Sequence, residues 1–469
     1  MITTILQYEL KQLLRKRVGW ALLLFILLGG GYAIAYGWLN YQHYRTQIGE
    51  VQQKQAETYA ELAPKYDTLT QLGDQAPERL NSFGDPIMAD FRYRRYSTWL
   101  PGSLSALAVG QRDQQTPYQR IQLYRNVNLP ELEEINNPEQ LLAGNFDLSF
   151  VLVYLLPLLV IVLGFNALSQ DREEGILSLL KVQGLTPKQL LFTRVGLQFG
   201  LLWGLSLLIC SIGFGVVGAD WAHWPAWGLG CGAWLLLWAG LVAWVNTWGR
   251  SSAFNATVLA GFWIVLLILL PALTNFWVDR TYPVLPRSEF MATARDISSQ
   301  EWDRPMAAIL ADFQKTQPDL YAKIPQPIRD TQAIKVFMYN ENSIAKVEQL
   351  GAPLMRTGSQ RLDLENRLKY LNPAYAFNAI LTTSAGTELS NFIDWQNATK
   401  ETLKQNRELV TQIGLSGKTF KKAEFERLPT FKAPPLKAQV GGNLLCLGVL
   451  AGLLWLLVWW SAQRNAAQV

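Results

Sequence analysis

A chain of 469 residues is long enough for three soluble domains, but 49% of it is apolar and the apolar residues collect in blocks of about 20, enough to cross roughly 30 Å of hydrocarbon. The net charge of +5 is too small to mark a nucleic-acid binder, and the basic residues sit at block edges, where membrane topology and anionic lipid account for them. The chain therefore reads as an all-α polytopic membrane protein: six spans and two large, mainly helical polar segments that form one domain.

Residues 1–17 carry Ile2, Ile5, Leu6, Leu10, Leu13 and Leu14 on one helical face, with Gln7, Lys11, Arg15 and Lys16 off it, which predicts an amphipathic helix at the membrane surface. The basic run followed by an apolar block and Ala33-Ile34-Ala35 imitates a cleaved leader, but such leaders rarely begin with an amphipathic helix. The expected spans are 18–39, 148–168, 195–217, 229–248, 256–277 and 443–460. Trp38, Trp221, Trp224, Trp227, Trp248, Trp277, Trp459 and Trp460 fall near their ends, where an amphipathic ring is favoured at headgroup depth. Lys11, Arg15, Lys16 and Arg17 before the first block share one side with Arg172, Lys181, Lys188 and Arg194 between the second and third, and with Arg250 and Arg464. The positive-inside rule then places both termini, including the tail 461–469, in the cytoplasm.

The polar segments 40–147 and 278–442 fall on the other, extracytoplasmic side. Tyr41 to Leu72 continues the first span as helix, and Pro101-Gly102 marks a turn. Helices are expected at Arg304–Thr316, Thr331–Glu348, Gln360–Tyr370 and Trp395–Val410, separated by breaks such as Pro325-Gln326-Pro327, with Leu428 to Pro435 returning extended to the membrane. No alternating pattern long enough for a sheet stands out. Cys210, Cys231 and Cys446 all lie in apolar blocks and read as small packing residues, not as a disulfide framework.

Within the spans the polar residues are of the kind of Asn166, Ser206, Ser211, Asn246 and Asn443. Ion-coupled carriers need intramembrane ionisable groups, so their near absence argues against that class. Gly196, Gly200 and Gly204 in the third span, like Gly448 and Gly452 in the last, make a flat face for helix packing or for a dimer contact.

The connection 169–194 is polar and helical in pattern. The second span is expected to run on as helix through Asp171 to Val182, stop at Gln183-Gly184, and restart with Thr186 as N-cap and Pro187 at the first helical position. Asp171, Glu173 and Glu174 offer carboxylates, and Ile176, Leu177, Leu179 and Leu180 an apolar side, a combination suited to a groove with a charged rim. The plainer alternative is a solvated helix skimming the membrane.

The run DREEGILSLLKVQGLTPKQLL resembles the signature of type-2 ATP-binding-cassette permeases, and the amino-terminal helix with Glu9, Lys11, Arg15, Lys16 and Arg17 resembles that family's elbow helix. The resemblance implies that Asp171, Arg172, Glu173, Glu174, Gly175, Leu177, Leu180, Gly184 and Pro187 form a coupling hairpin against a separate ATPase subunit present in two copies. ATP and Mg would be held by that subunit, with no cofactor on this chain. It further implies pairing with a second permease copy or a paralogue, a lipid environment, a bacterial inner membrane, and export or an outward mechanical signal. The simplest members have short outer loops. This chain is instead similar to a subgroup with large extracytoplasmic domains of unassigned function, through GNFDLSFVLVYLLPLLV, LPGSLSALAVGQRD and LNPAYAFNAILTTSAGT; an extracytoplasmic partner protein would meet those domains.

Enzymatic readings find little support. Gly414-Leu415-Ser416-Gly417-Lys418-Thr419 ends like a phosphate-binding loop but has Gln412 where the first glycine is required. His43 and His223 lack ligand-spaced partners, so no metal or catalytic set is expected, and no serine elbow occurs. Asn397-Ala398-Thr399 matches a glycosylation acceptor by chance. The rival from another class is a membrane-anchored sensor or scaffold whose outer domain binds a partner while the spans only anchor it.

Overall fold

The structure is a computed structural model that describes residues 2–15, 17–100, 102–110, 112, 116–124, 145–283, 287–322, 324, 332–436 and 439–465. Six of its helices are long and apolar enough to cross a membrane, and helices dominate the remainder, so the chain is an all-α polytopic integral membrane protein. The first span belongs to a single helix, Arg17–Leu72, whose 56 residues at about 1.5 Å each make a rod of roughly 84 Å. Only its first half is apolar, and the rest projects beyond the bilayer and carries Pro64 near its end.

The fourth span, Trp224–Asn246, is the axle of the bundle. It packs against the second, third, fifth and sixth, and its most apolar window is 78% buried, against 11% for the fifth and 17% for the sixth. Trp227, Trp234 and Trp238 are fully buried along it. Glycines allow the closest approaches: a Cβ on Gly240 would meet the Leu454 side chain at 2.9 Å, and one on Gly164 would meet Val242 at 2.6 Å. Leu273, Phe276, Leu445, Leu456 and Trp460 point outward from the fifth and sixth spans, as lipid-facing side chains do. A Cβ on Gly196, Gly200, Gly204, Gly448 or Gly452 would meet nothing within 4 Å, so packing within the chain does not use the small-residue faces noted in the sequence.

Two spans carry a widened turn at matching places. Val151–Leu155 in the second and Val265–Leu269 in the fifth are π-helical, with Leu156 N–H donating to Val151 O and Leu270 N–H to Val265 O. Each precedes a Leu-Pro pair, Leu156-Pro157 and Leu270-Pro271, in the parallel runs VLVYLLP and VLLILLP. Proline has no N–H and its ring crowds the preceding turn, so the ladder slips to i→i+5 and frees carbonyls. Side chains serve them: Trp263 Nε1 donates to Tyr154 O at 3.1 Å and Asn372 Nδ2 to Leu266 O at 3.2 Å.

The two polar segments share one hydrophobic core. Leu62, Tyr66 and Tyr93 from the first pack with Phe313, Phe337, Phe420 and Phe425 from the second, and Tyr66 stacks on Phe425 at 4.4 Å between centroids. The helix expected at 304–316 is present as Met306–Thr316, while those expected at 331–348 and 360–370 are one helix, Gln332–Leu368, running through Pro353. Proline disfavours a helix interior but does not forbid it where packing holds both halves. The described residues also hold a two-stranded antiparallel sheet, β1 (Arg95–Thr98) and β2 (Tyr118–Ile121), of the short kind that the sequence pattern leaves open, since four-residue strands hold only two alternations. It is anchored by Arg95, which donates to Asp90 at 2.5 Å, to Asn406 at 2.7 Å and to the Pro429 carbonyl at 3.1 Å, with both charged side chains 1% exposed. Pro101, Gln111, Asp113 and Pro325-Gln326-Pro327, singled out above, lie outside the described residues.

Candidate functional site

The hairpin between the second and third spans forms by two departures from the single helix expected there. After Gly164 the second span unwinds for one turn, then continues as Ser169–Glu173. Backbone groups released inside a membrane need partners, and polar side chains from three other spans provide them. Gln198 donates to Leu163 O at 2.7 Å, Asn246 to Gly164 O at 3.0 Å and Asn255 to Phe165 O at 3.2 Å, while Leu168 N–H donates to Asn246 Oδ1 at 3.1 Å. Asn246, noted only as a polar residue in a span, is thus the main support of the break. The second departure is at Gly175, whose φ of 74° is left-handed, a conformation glycine adopts without the Cβ penalty. It restarts the chain as Ile176–Val182 in a new rotational phase. Gly184 at φ 81° ends that helix, and Thr186 opens the third span with a reciprocal capping box to Gln189 ahead of Pro187.

Ionic contacts tie this hairpin to its surroundings. Arg194, at the base of the third span, donates from Nε to Glu9 of the amino-terminal helix at 2.6 Å, and from Nη1 to Asp171 and the Ala167 carbonyl, each at 2.6 Å. All three charged side chains are largely buried, the regime in which a hydrogen-bonded ion pair fixes geometry and is costly to break. Glu173 accepts from the backbone N–H of Ser252 at 2.6 Å and from its hydroxyl at 2.9 Å, so its carboxylate sits on the amino terminus of the fifth span, where negative charge is favoured. Arg172 donates to Arg250 O at 3.3 Å, and Lys188 lies 3.2 Å over the Trp459 ring of the sixth span.

These contacts sort the residues marked in the sequence. Asp171 and Leu177 are buried within the chain and Leu180 is half-buried. Glu174 is exposed, with its carboxylate accepting from the Gln170 amide at 2.8 Å. The exposed apolar side is Ile176, Leu179 and Val182, spaced by three, with Val182 88% exposed. In the amino-terminal helix Ile2–Arg15, Leu6 and Leu10 are exposed while Ile5 packs on the bundle core; Lys11, Arg15 and Arg17 are exposed. Lys16 and the side chains of Ile2, Leu13 and Leu14 lie outside the described residues.

At the other end of the second span, the three stretches quoted from the outer segments come together. Asp147 caps the span, accepting from Phe150 N–H at 2.8 Å and Ser149 Oγ at 2.7 Å, while its other oxygen accepts from Val109 N–H at 2.7 Å. Burial pushes the Asp147 carboxyl above its ordinary range, opposed by these hydrogen bonds. Thr387 Oγ1 donates to Ala108 O at 2.8 Å, and the helix Pro373–Ala385 before it lies buried against the fourth span, with Phe377 stacked on Trp234 at 5.6 Å. The 3₁₀ turn Ser103–Ala106 presses on Gly37, where a Cβ would meet the Ala106 carbonyl oxygen at 1.7 Å. The second span therefore connects the hairpin at one membrane edge with the foot of the polar domain at the other.

Gly414 of the phosphate-loop look-alike sits in the helix Leu389–Leu415, and a Cβ there would strike the Phe337 ring at 2.1 Å, so the glycine answers a packing need. Among the described residues no group of three His, Cys, Asp or Glu side chains is placed to hold a metal ion.

Comparison with known proteins adds one finding: residues 287–433 match a family described as a domain of unknown function, DUF3526. That stretch is most of the second polar segment and includes the foot helix. No curated protein and no solved structure matches the chain.

Proposed function

We propose that this chain is the permease subunit of a type-2 ATP-binding-cassette transporter, driven by a separate ATPase that docks on the hairpin. The observation that carries the reading is the exposed stripe Ile176, Leu179 and Val182, edged by Glu174, on a hairpin clamped to the amino-terminal helix and to the third and fifth spans. An apolar stripe in water is a docking surface in waiting, and the clamps let a push on it be felt by several spans at once. Two ATPase subunits, holding ATP and Mg, would face a pair of permease chains, either two copies or this chain and a paralogue. In this reading the membrane is a bacterial inner membrane and both termini are cytoplasmic.

Closure of the ATPase pair would displace the hairpin, and the second span would pass the movement to the Asp147, Ala108 and Thr387 junction, with the π-turns before Pro157 and Pro271 as points of bending. The outcome is export or a mechanical signal to the polar domain. The test is affinity purification of the full chain in mild detergent from its native membrane. An ATPase should accompany the wild type and be lost from Leu179→Asp with Val182→Asp, while membrane insertion and melting behaviour are retained. Retention of the ATPase by that variant contradicts docking on the stripe.

A further inference from the structure

The amino-terminal helix and the first three spans do not close on one another at the hairpin edge. They leave a cleft of about 820 Å³ lined by the polar side chains Glu9, Asp171, Glu174 and Arg194 and by apolar ones that include Leu22, Val162 and Leu163. Gly19, Leu22 and Leu163 also wall a second, almost wholly apolar space of about 270 Å³, reaching past Leu201 and Gly204 to Leu208. Arg194 to Leu208 is 14 residues of one helix, so cleft and groove together extend roughly 21 Å from the membrane edge inward. A partly polar cleft at headgroup depth opening on an apolar slot of that length has the shape of an amphipath with an acyl chain.

Charge selects among such amphipaths. Among the described residues lining the cleft, three carboxylates accompany one guanidinium, and Arg194 is already held between Glu9 and Asp171. Glu174 is left with a neutral amide as its partner. A headgroup with no ammonium gains nothing from the Glu174 carboxylate, and a quaternary one could not donate a hydrogen bond to it. A primary ammonium meets both conditions.

We propose that this cleft and groove hold one phospholipid with a primary ammonium headgroup, phosphatidylethanolamine, with an acyl chain past Gly204 and the ammonium against Glu174. The site does not depend on the ATPase reading, since it is built from this chain alone.

The experiment is native mass spectrometry of the delipidated full chain offered equal amounts of phosphatidylethanolamine, phosphatidylcholine and phosphatidylglycerol with identical acyl chains. One phosphatidylethanolamine should be retained, with a preference over phosphatidylglycerol of roughly tenfold. Glu174→Gln should keep lipid binding but lose the preference. Gly204→Trp fills the groove and should lose the bound lipid, with an unchanged melting temperature as the check that the bundle still packs. Equal retention of phosphatidylglycerol, or unchanged retention by Gly204→Trp at wild-type melting temperature, overturns the proposal.

Discussion

The polar domain and the hairpin both depend on charged side chains, but they use them differently. In the domain, Asp90 and Arg95 lie five residues apart and bind β1 to Asn406 and the Pro429 carbonyl inside one continuous apolar core. At the hairpin, Arg194 joins a helix 185 residues earlier in sequence to the short helix 23 residues earlier, and Glu173 reaches 79 residues onward to Ser252. The first arrangement locks a fold within itself; the second fastens separate helices at their ends and leaves an apolar stripe facing outward. In the proposed reading this distinguishes a unit that holds its shape from one that passes a movement on.

The largest effect that would sharpen this contrast is in the domain. Asp90→Ala strands Arg95 in the core and should cost about 3 to 5 kcal/mol, unfolding the polar domain before the bundle in a denaturant titration followed by limited proteolysis. Arg194→Ala removes charged hydrogen bonds to Glu9 and Asp171 at once, for about 2 to 3 kcal/mol. Its signature should be local: faster proteolysis of the amino-terminal helix with domain melting unchanged. Should Arg194→Ala instead melt the whole chain, the hairpin clamp is no more separable than the domain core and the contrast fails.

Smaller changes probe the turn geometry. Gly175→Ala forces a Cβ into left-handed backbone for about 1 to 2 kcal/mol, and it should raise hydrogen exchange in Ile176–Val182 while sparing the third span. Thr186→Ala deletes half of a capping box for about 1 kcal/mol, read as fraying at Pro187 to Leu190. The weakest is a pH effect in the domain. Burial raises the Glu341 carboxyl above its ordinary value near 4.5, against the pull of Arg407 and Thr411. The folded state therefore keeps this proton where the unfolded state has lost it, so stability falls as pH rises from near 4.5 and levels off once the folded carboxyl ionises. Glu341→Gln should lack that slope across the same window.

What the sequence disclosed follows from which signals are local. The spans are legible because about 20 apolar residues in a row have one physical use, and Gly184, Thr186 and Pro187 are legible because caps need particular residues at fixed offsets. The apolar face of the hairpin was legible in part: Ile176 and Leu179, read among its apolar residues, are exposed, while the equally exposed Val182 carried no mark of its own and Leu177 is buried just past the left-handed Gly175. Nor could the sequence reveal that Glu173 is held by Ser252, since that contact exists only once two spans have packed side by side. The π-turns carried a readable sign in the repeated VLxxLLP runs, missed because an all-apolar stretch offers no periodicity to interrupt.

The most direct test of the hairpin as the point where an ATPase docks is the purification described above, repeated with Glu174→Lys, Leu179→Asp and Val182→Asp singly. Loss of the associated ATPase in graded steps, with lipid-embedded melting temperatures unchanged, is the expected result. Full association in all of them, or a wild-type chain that never carries a nucleotide hydrolase from its own membrane, would contradict the account.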